Sequence, residues 1–114
     1  MFNGFDKETE KYVKKYIKKL KKRYRIDEII LFGSYAKGTQ TKDSDIDLAI
    51  ISPDVEFDET YQLADMLGLT CEVQRLSRNS KIFIEPYPIN SLKFKTEEGK
   101  MINEINKTGI KLNY

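Results

Sequence analysis

Asp45 and Asp47 flank a single isoleucine where the chain turns apolar, in the stretch LFGSYAKGTQTKDSDIDLAI at residues 31–50. In a strand, residues two apart point to the same side, roughly 6.5 Å apart along the chain. The two carboxylates would then project together while Ile46 and Leu48 enter the core. Adjacent carboxylates repel, and burying them unpaired is costly. A divalent cation supplies the missing charge, and hard oxygen ligands suit Mg²⁺. The plainer alternative is a solvated strand face, or a turn capped by Asp43 and Ser44. The rest of the composition narrows the chemistry further. There is no histidine, so neither a Ser-His nor a Cys-His catalytic pair can be built and imidazole ligands are absent. Cys71 is the single cysteine, which excludes an internal disulfide and a thiolate zinc site.

The upstream loop adds a second half. Gly33-Ser34 directly follows an apolar run, and SYAK can open a short helix that ends at Gly38. Backbone N–H groups at such a start, with the Ser34 hydroxyl, form a natural phosphate cradle. Gly33 has no side chain to block close approach of a polyphosphate. Gly-Ser is also ordinary turn chemistry. A cradle and a carboxylate pair on neighbouring strands together describe a nucleoside triphosphate site. Lys37, Lys42, Arg78 and Lys81 are candidate cations for the triphosphate, although most of the 20 basic residues are surface solubilisers.

These residues need elements to hold them. Asp6 caps a helix in which Val13, Tyr16, Ile17, Leu20 and Tyr24 recur at helical spacing. Its other faces are basic, with nine Lys or Arg and no acid from Lys11 to Arg25. This suits a solvated face, with an RNA- or phosphate-binding surface as the alternative. IDEIILF (26–32) and SDIDLAIIS (44–52) are expected strands. Leu63, Met66, Leu67, Thr70, Val73 and Leu76 predict a helix from Asp58 to about residue 76, with Cys71 in its core. SKIFIEPYPI (80–89) is a third strand, where Pro86 and Pro88 end pairing or mark an edge. Thr96 caps a last helix that stops at Gly109, and IKLNY forms a tail.

At 114 residues, one domain spanning 1–114 is expected. The fold class is α+β, a small mixed β-sheet with flanking helices. There is no signal-peptide pattern and no apolar run near the roughly 20 residues that span a bilayer, so a cytoplasmic protein is expected.

The motif GSYAKGTQTKDSDIDL resembles the signature of the DNA polymerase β-like nucleotidyltransferases, through Gly33, Ser34, Ala36, Gly38, Ser44, Asp45, Asp47 and Leu48. IEPYPI and INKTGIKL further on are similar to the minimal nucleotidyltransferases of bacteria and archaea. The resemblance implies a polymerase β-like fold, two Mg²⁺ ions, ATP as substrate, and AMP transfer to an acceptor hydroxyl. It also implies a partner, a helical HEPN toxin modified on a tyrosine, with this chain as antitoxin. Its third acid lies on a later strand: Glu85, which shares a face with Phe83 and Tyr87, is favoured over Glu72. The resemblance thus implies metal ligation and catalysis by Asp45, Asp47 and Glu85, and phosphate binding by Gly33 and Ser34. Other readings are an antitoxin that neutralises its toxin by binding alone, and a subunit that modifies a small molecule such as an antibiotic. Nucleic acid is the less favoured partner, and a homo-oligomer could complete the pocket.

Overall fold

The computed structural model describes residues 4–76 and 82–114. Helix α1, Lys7–Arg23, starts at Asp6, whose Oδ1 accepts from the Thr9 N–H at 2.7 Å. Strand β1, Glu28–Phe32, turns at Gly33 into the one-turn helix α2, Ser34–Lys37. Strand β2 covers Ile46–Ser52, helix α3 Thr60–Arg75 and strand β3 Ile84–Asn90. Two further helices, α4 at Ser91–Thr96 and α5 at Lys100–Thr108, precede the two-residue strand β4, Ile110–Lys111.

The sheet order is β3-β2-β1-β4. β1 runs antiparallel to β2 and β4, while β2 and β3 are parallel. A parallel pair needs a crossover, which α3 supplies. Alternation along the strands sorts side chains onto two faces. Ile29, Leu31, Ile46, Leu48, Ile50 and Ile84 meet α1 and α3 in the larger core. Ile30, Phe32, Ala49, Ile51 and Ile89 form a smaller core with Ile105 of α5 and with Phe94 of α4 packed against it. No helix among the described residues is long and apolar enough to cross a membrane.

The last third departs from expectation. Thr96 ends α4 instead of capping the next helix, and its hydroxyl donates to the Leu92 carbonyl. Asn90 is the cap that starts α4, accepting from the N–H groups of Leu92 and Lys93. The expected tail contains β4, which closes the sheet beside β1. Gly109 does end α5, but with φ −68°. Glycine is needed there for space, since a Cβ would lie 2.5 Å from Ile30 Cγ2.

On α3 the buried stripe is Gln62, Met66, Leu69, Thr70 and Val73, leaving Leu76 65% exposed. Cys71 is exposed, not the core residue expected. Met66, Thr70 and Val73 are buried as expected, while Gln62 and Leu69 take the places expected of Leu63 and Leu67. The Thr70 hydroxyl, bonded at 2.9 Å to the Ile84 carbonyl, is satisfied in the interior, as is Gln62 Oε1, which accepts from Glu56 N–H. The basic face of α1 is partly neutralised by α3, through Lys19–Glu72 at 2.8 Å and Arg23–Asp65 at 2.6 Å.

Candidate active site

Phe32, Asp47 and Glu85 lie in one row across three strands, since Asp47 pairs with Phe32 on one side and Glu85 on the other. All three sit on the face of the smaller core, at the end where that core stops. Ile46 and Leu48, their alternates, are fully buried on the opposite face. β2 begins one residue after Asp45, so Asp45 occupies an exposed lead-in and only Asp47 is strand-borne. Ser44 closes the preceding turn: its Oγ accepts from Thr41 N–H at 2.9 Å and its N–H donates to the Thr41 carbonyl at 3.1 Å.

Gly33 makes the loop possible in two ways. Its φ of +74° with ψ −152° is a backbone conformation that is essentially glycine's alone. A Cβ there would also overlap Asp47 Oδ2 and stand 3.3 Å from Asp47 Cγ. The loop backbone therefore lies directly against the carboxylate. Gly38, at φ +73°, ends α2 and donates back to the Ser34 and Tyr35 carbonyls. The first N–H groups of α2 have no acceptor within the helix. The Ser34 hydroxyl has no hydrogen bond among the described residues.

Burial pushes the Asp47 carboxyl up to about 6, helped by the negative charges of Glu85, then Asp45, then Glu104. Tyr87 is pushed up to about 12 by burial first and next by the negative charges of Asp47 and Glu85. The Tyr87 ring packs edge-on to Phe32 with centroids 5.0 Å apart, which anchors the phenol on the same strand face as Glu85. Neither Asp45, Asp47 nor Glu85 forms an ion pair with a basic side chain among the described residues. Glu72, the rival third acid, lies on α3 and is held by Lys19, away from this row.

The residues fit a hard divalent cation by charge and donor type. Asp45, Asp47 and Glu85 have no basic partner among the described residues, and burial first, then the charges of Glu85, Asp45 and Glu104, raise the Asp47 carboxyl. They do not form a finished cage: among the described residues no three acids, cysteines or histidines converge as metal ligands.

Glu104 and Tyr87 were not among the residues singled out from sequence. Glu104 comes from α5 and is paired at 2.8 Å with Lys37 of α2, joining the two helices beside Asp47. Nothing local marks it, because its place depends on how α5 docks. Tyr87 was legible as a neighbour of Glu85 on one strand face, though its packing on Phe32 of β1 was not. Of the other candidate cations, Lys42 is exposed, and Arg78 and Lys81 fall outside the described residues.

Residues 13–107 match the family model described as "Nucleotidyltransferase domain". Two Methanocaldococcus jannaschii proteins, each named "Putative protein adenylyltransferase", are similar in sequence. One is 48% identical over 62 residues, 53% of this chain and 61% of the relative. The other is 37% identical over 81 residues, 64% of this chain and 88% of the relative. The first match therefore spans less than two thirds of that protein's length. A crystal structure of a toxin-antitoxin with AMP-PNP superposes with TM-score 0.59 at 18% identity, covering 90% of this chain and 70% of that one. At that identity the likeness is one of fold.

Proposed function

Because the chain belongs to the nucleotidyltransferase domain family, we propose that it transfers AMP from ATP to an acceptor hydroxyl on a partner protein. The observation that carries this reading is the uncompensated carboxylate row at Asp47 and Glu85, with the Gly33 loop packed against it. Asp45, Asp47 and Glu85 would hold Mg²⁺, which when bound supplies positive charge at the reacting phosphate and acidifies the acceptor hydroxyl.

The chain's own groups do the rest. Gly33 and Ser34 hold the β- and γ-phosphates through backbone N–H groups and the Ser34 hydroxyl. The acceptor oxygen bonds to the α-phosphorus as the bond to the bridging oxygen breaks, and that electron pair leaves with pyrophosphate. Glu85 takes the acceptor proton, beside Asp47 in the parallel pairing of β2 and β3. Positioning and charge neutralisation suffice for such a reaction, so a site without histidine can carry it.

The names of the relatives support a protein acceptor, and the toxin-antitoxin neighbour supports a toxin as that protein. The partner in this reading is a helical HEPN toxin, modified on a tyrosine and silenced by the adduct. The test is intact-mass analysis of that partner after incubation with ATP and Mg²⁺. An AMP-sized adduct that disappears with Asp45→Asn is expected. Tight inhibition of the toxin with no adduct would replace transfer by neutralisation through binding alone.

A further inference from the structure

From Lys7 to Arg25 the basic residues fall into two sets. Lys14 pairs with Glu10 at 3.1 Å, Lys19 with Glu72, Arg23 with Asp65 and Arg25 with Asp54. Lys21 donates to the Tyr114 carbonyl. Lys7, Lys11, Lys15, Lys18 and Lys22 are all exposed and have no ion pair or hydrogen bond among the described residues.

At 3.6 residues per turn, these five fall within about 80° of the circumference of α1, and no other residue of the helix lies in that sector. Lys14 and Lys21 flank it on one side, Lys19 and Arg23 on the other. From one lysine to the next the helix rises about 6, 6, 4.5 and 6 Å, so the stripe is straight and about 22 Å long. The partnered cations thus border a sector in which nothing is partnered.

General basicity does not explain the stripe, because the whole chain has 20 basic residues against 18 acidic ones. It is also unfavourable for the helix. Lys7–Lys11, Lys11–Lys15 and Lys18–Lys22 are like charges four apart, and Lys15–Lys18 are three apart; such pairs destabilise a helix. A polyanion lying along them removes that repulsion.

The chemistry of the stripe selects among polyanions. An interfacial helix binds a bilayer through an apolar face, but α1 buries its own, Tyr12, Val13, Tyr16, Ile17 and Leu20, in the main core. Protein interfaces are rich in aromatic residues and poor in lysine, and this sector offers lysine alone. Nucleic acid presents its charge as a repeating line, which lysines neutralise phosphate by phosphate. With neither an aromatic ring for stacking nor an arginine fork for base edges, the sector contacts only the backbone.

We propose that the Lys7–Lys22 stripe of α1 binds the phosphate backbone of nucleic acid without regard to sequence. α1 packs on the main-core face of the sheet, whereas Asp47 and Glu85 lie on the other face. A strand on the stripe therefore leaves the carboxylate row open, and the inference stands apart from the transfer reading.

The experiment is fluorescence anisotropy of labelled oligo(U) and oligo(dT) with the whole chain, across a series of salt concentrations. Both should bind alike, within about threefold, since nothing in the sector reads the sugar. The plot of log K against log salt should have a slope of about −3, near −0.7 for each phosphate neutralised. The triple variant Lys11→Gln, Lys15→Gln, Lys18→Gln should bind at least about tenfold more weakly and flatten the slope by about 2. The charge-matched triple Lys95→Gln, Lys100→Gln, Lys107→Gln, on α4 and α5, should stay within about threefold of wild type. A saturating non-hydrolysable ATP analogue with Mg²⁺ should displace neither oligonucleotide. Absence of binding at low salt, equal losses in the two triples, or displacement by the nucleotide would overturn the proposal. So would competition by poly-L-glutamate as effective as unlabelled oligo(U) at equal charge, which would make the stripe a surface for an acidic protein.

Discussion

Asp47 is where the sequence pattern and the physical chemistry of the site meet. Its carboxyl is pushed up to about 6, by burial first and then by three neighbouring acids. Between about pH 4, where an ordinary carboxyl titrates, and 6, the folded chain holds a proton that the unfolded chain has lost. The contribution of this group is therefore fully present below about pH 4 and is lost as pH rises through about 6. In cation-free buffer, Asp47→Asn should stabilise the protein at neutral pH by about 1 kcal/mol, after allowing for screening of a half-exposed group. Thermal melts at neutral pH should show a gain of about 4 °C that vanishes near pH 4. The same variant should transfer at least about 100-fold more slowly. A variant that melts below wild type at neutral pH would mean that Asp47 is already compensated. That Glu85 shares a strand face with Tyr87 was legible in the sequence, while its register opposite Asp47 follows from the parallel pairing of β2 and β3. Glu104 was not, since only the docking of α5 brings it near.

At the scale of elements, α2 carries the sharpest contrast. Gly33 and Gly38 both have positive φ, yet a Cβ at Gly33 collides with Asp47, whereas one at Gly38 meets nothing within 4 Å. Gly38→Ala should cost about 1 kcal/mol in urea denaturation and leave transfer within a few fold of wild type. Gly33→Ala should abolish transfer, because either the loop or Asp47 must move. Equal activity in the two variants would remove the loop from the mechanism. The bounds of α2 agree with the sequence reading, Ser34–Lys37 ending at Gly38. Both are set by glycines, whose backbone role is local. α3 was legible in part: Met66, Thr70 and Val73 are buried as expected, but Gln62 is buried where Leu63 was expected, its Oε1 accepting from the Glu56 N–H. β4 is two residues long and exists only through pairing with β1.

At the scale of the whole molecule, one face of the sheet carries the main core and the other opens into chemistry. α1 and α3 cover the first, so the second can end early, at Phe32, Asp47 and Glu85, without losing the fold. Ligands should therefore stabilise a structure that already stands. A non-hydrolysable ATP analogue with Mg²⁺, at about 100 times its Kd, should add about 2.7 kcal/mol. Chelating the cation should remove most of the corresponding rise in Tm, and Asp47→Asn should show little rise at all. An equal rise in EDTA would place the nucleotide elsewhere. The sandwich was legible from the alternation of strands and helices, and Pro86 and Pro88 correctly marked β3 as an edge. What that edge borders, a groove walled by α3 and α5, depends on contacts between remote segments.

Labelled ATP distinguishes nucleotidyl transfer at the Asp45–Asp47 site from every alternative. The protein is incubated with its partner and Mg²⁺, using ATP labelled on either the α- or the γ-phosphate. The α-label should become bound to the partner and the γ-label should appear in pyrophosphate, with both signals lost in Asp45→Asn and Asp47→Asn. Attachment of the γ-label to protein, or α-labelling that survives both substitutions, would contradict it.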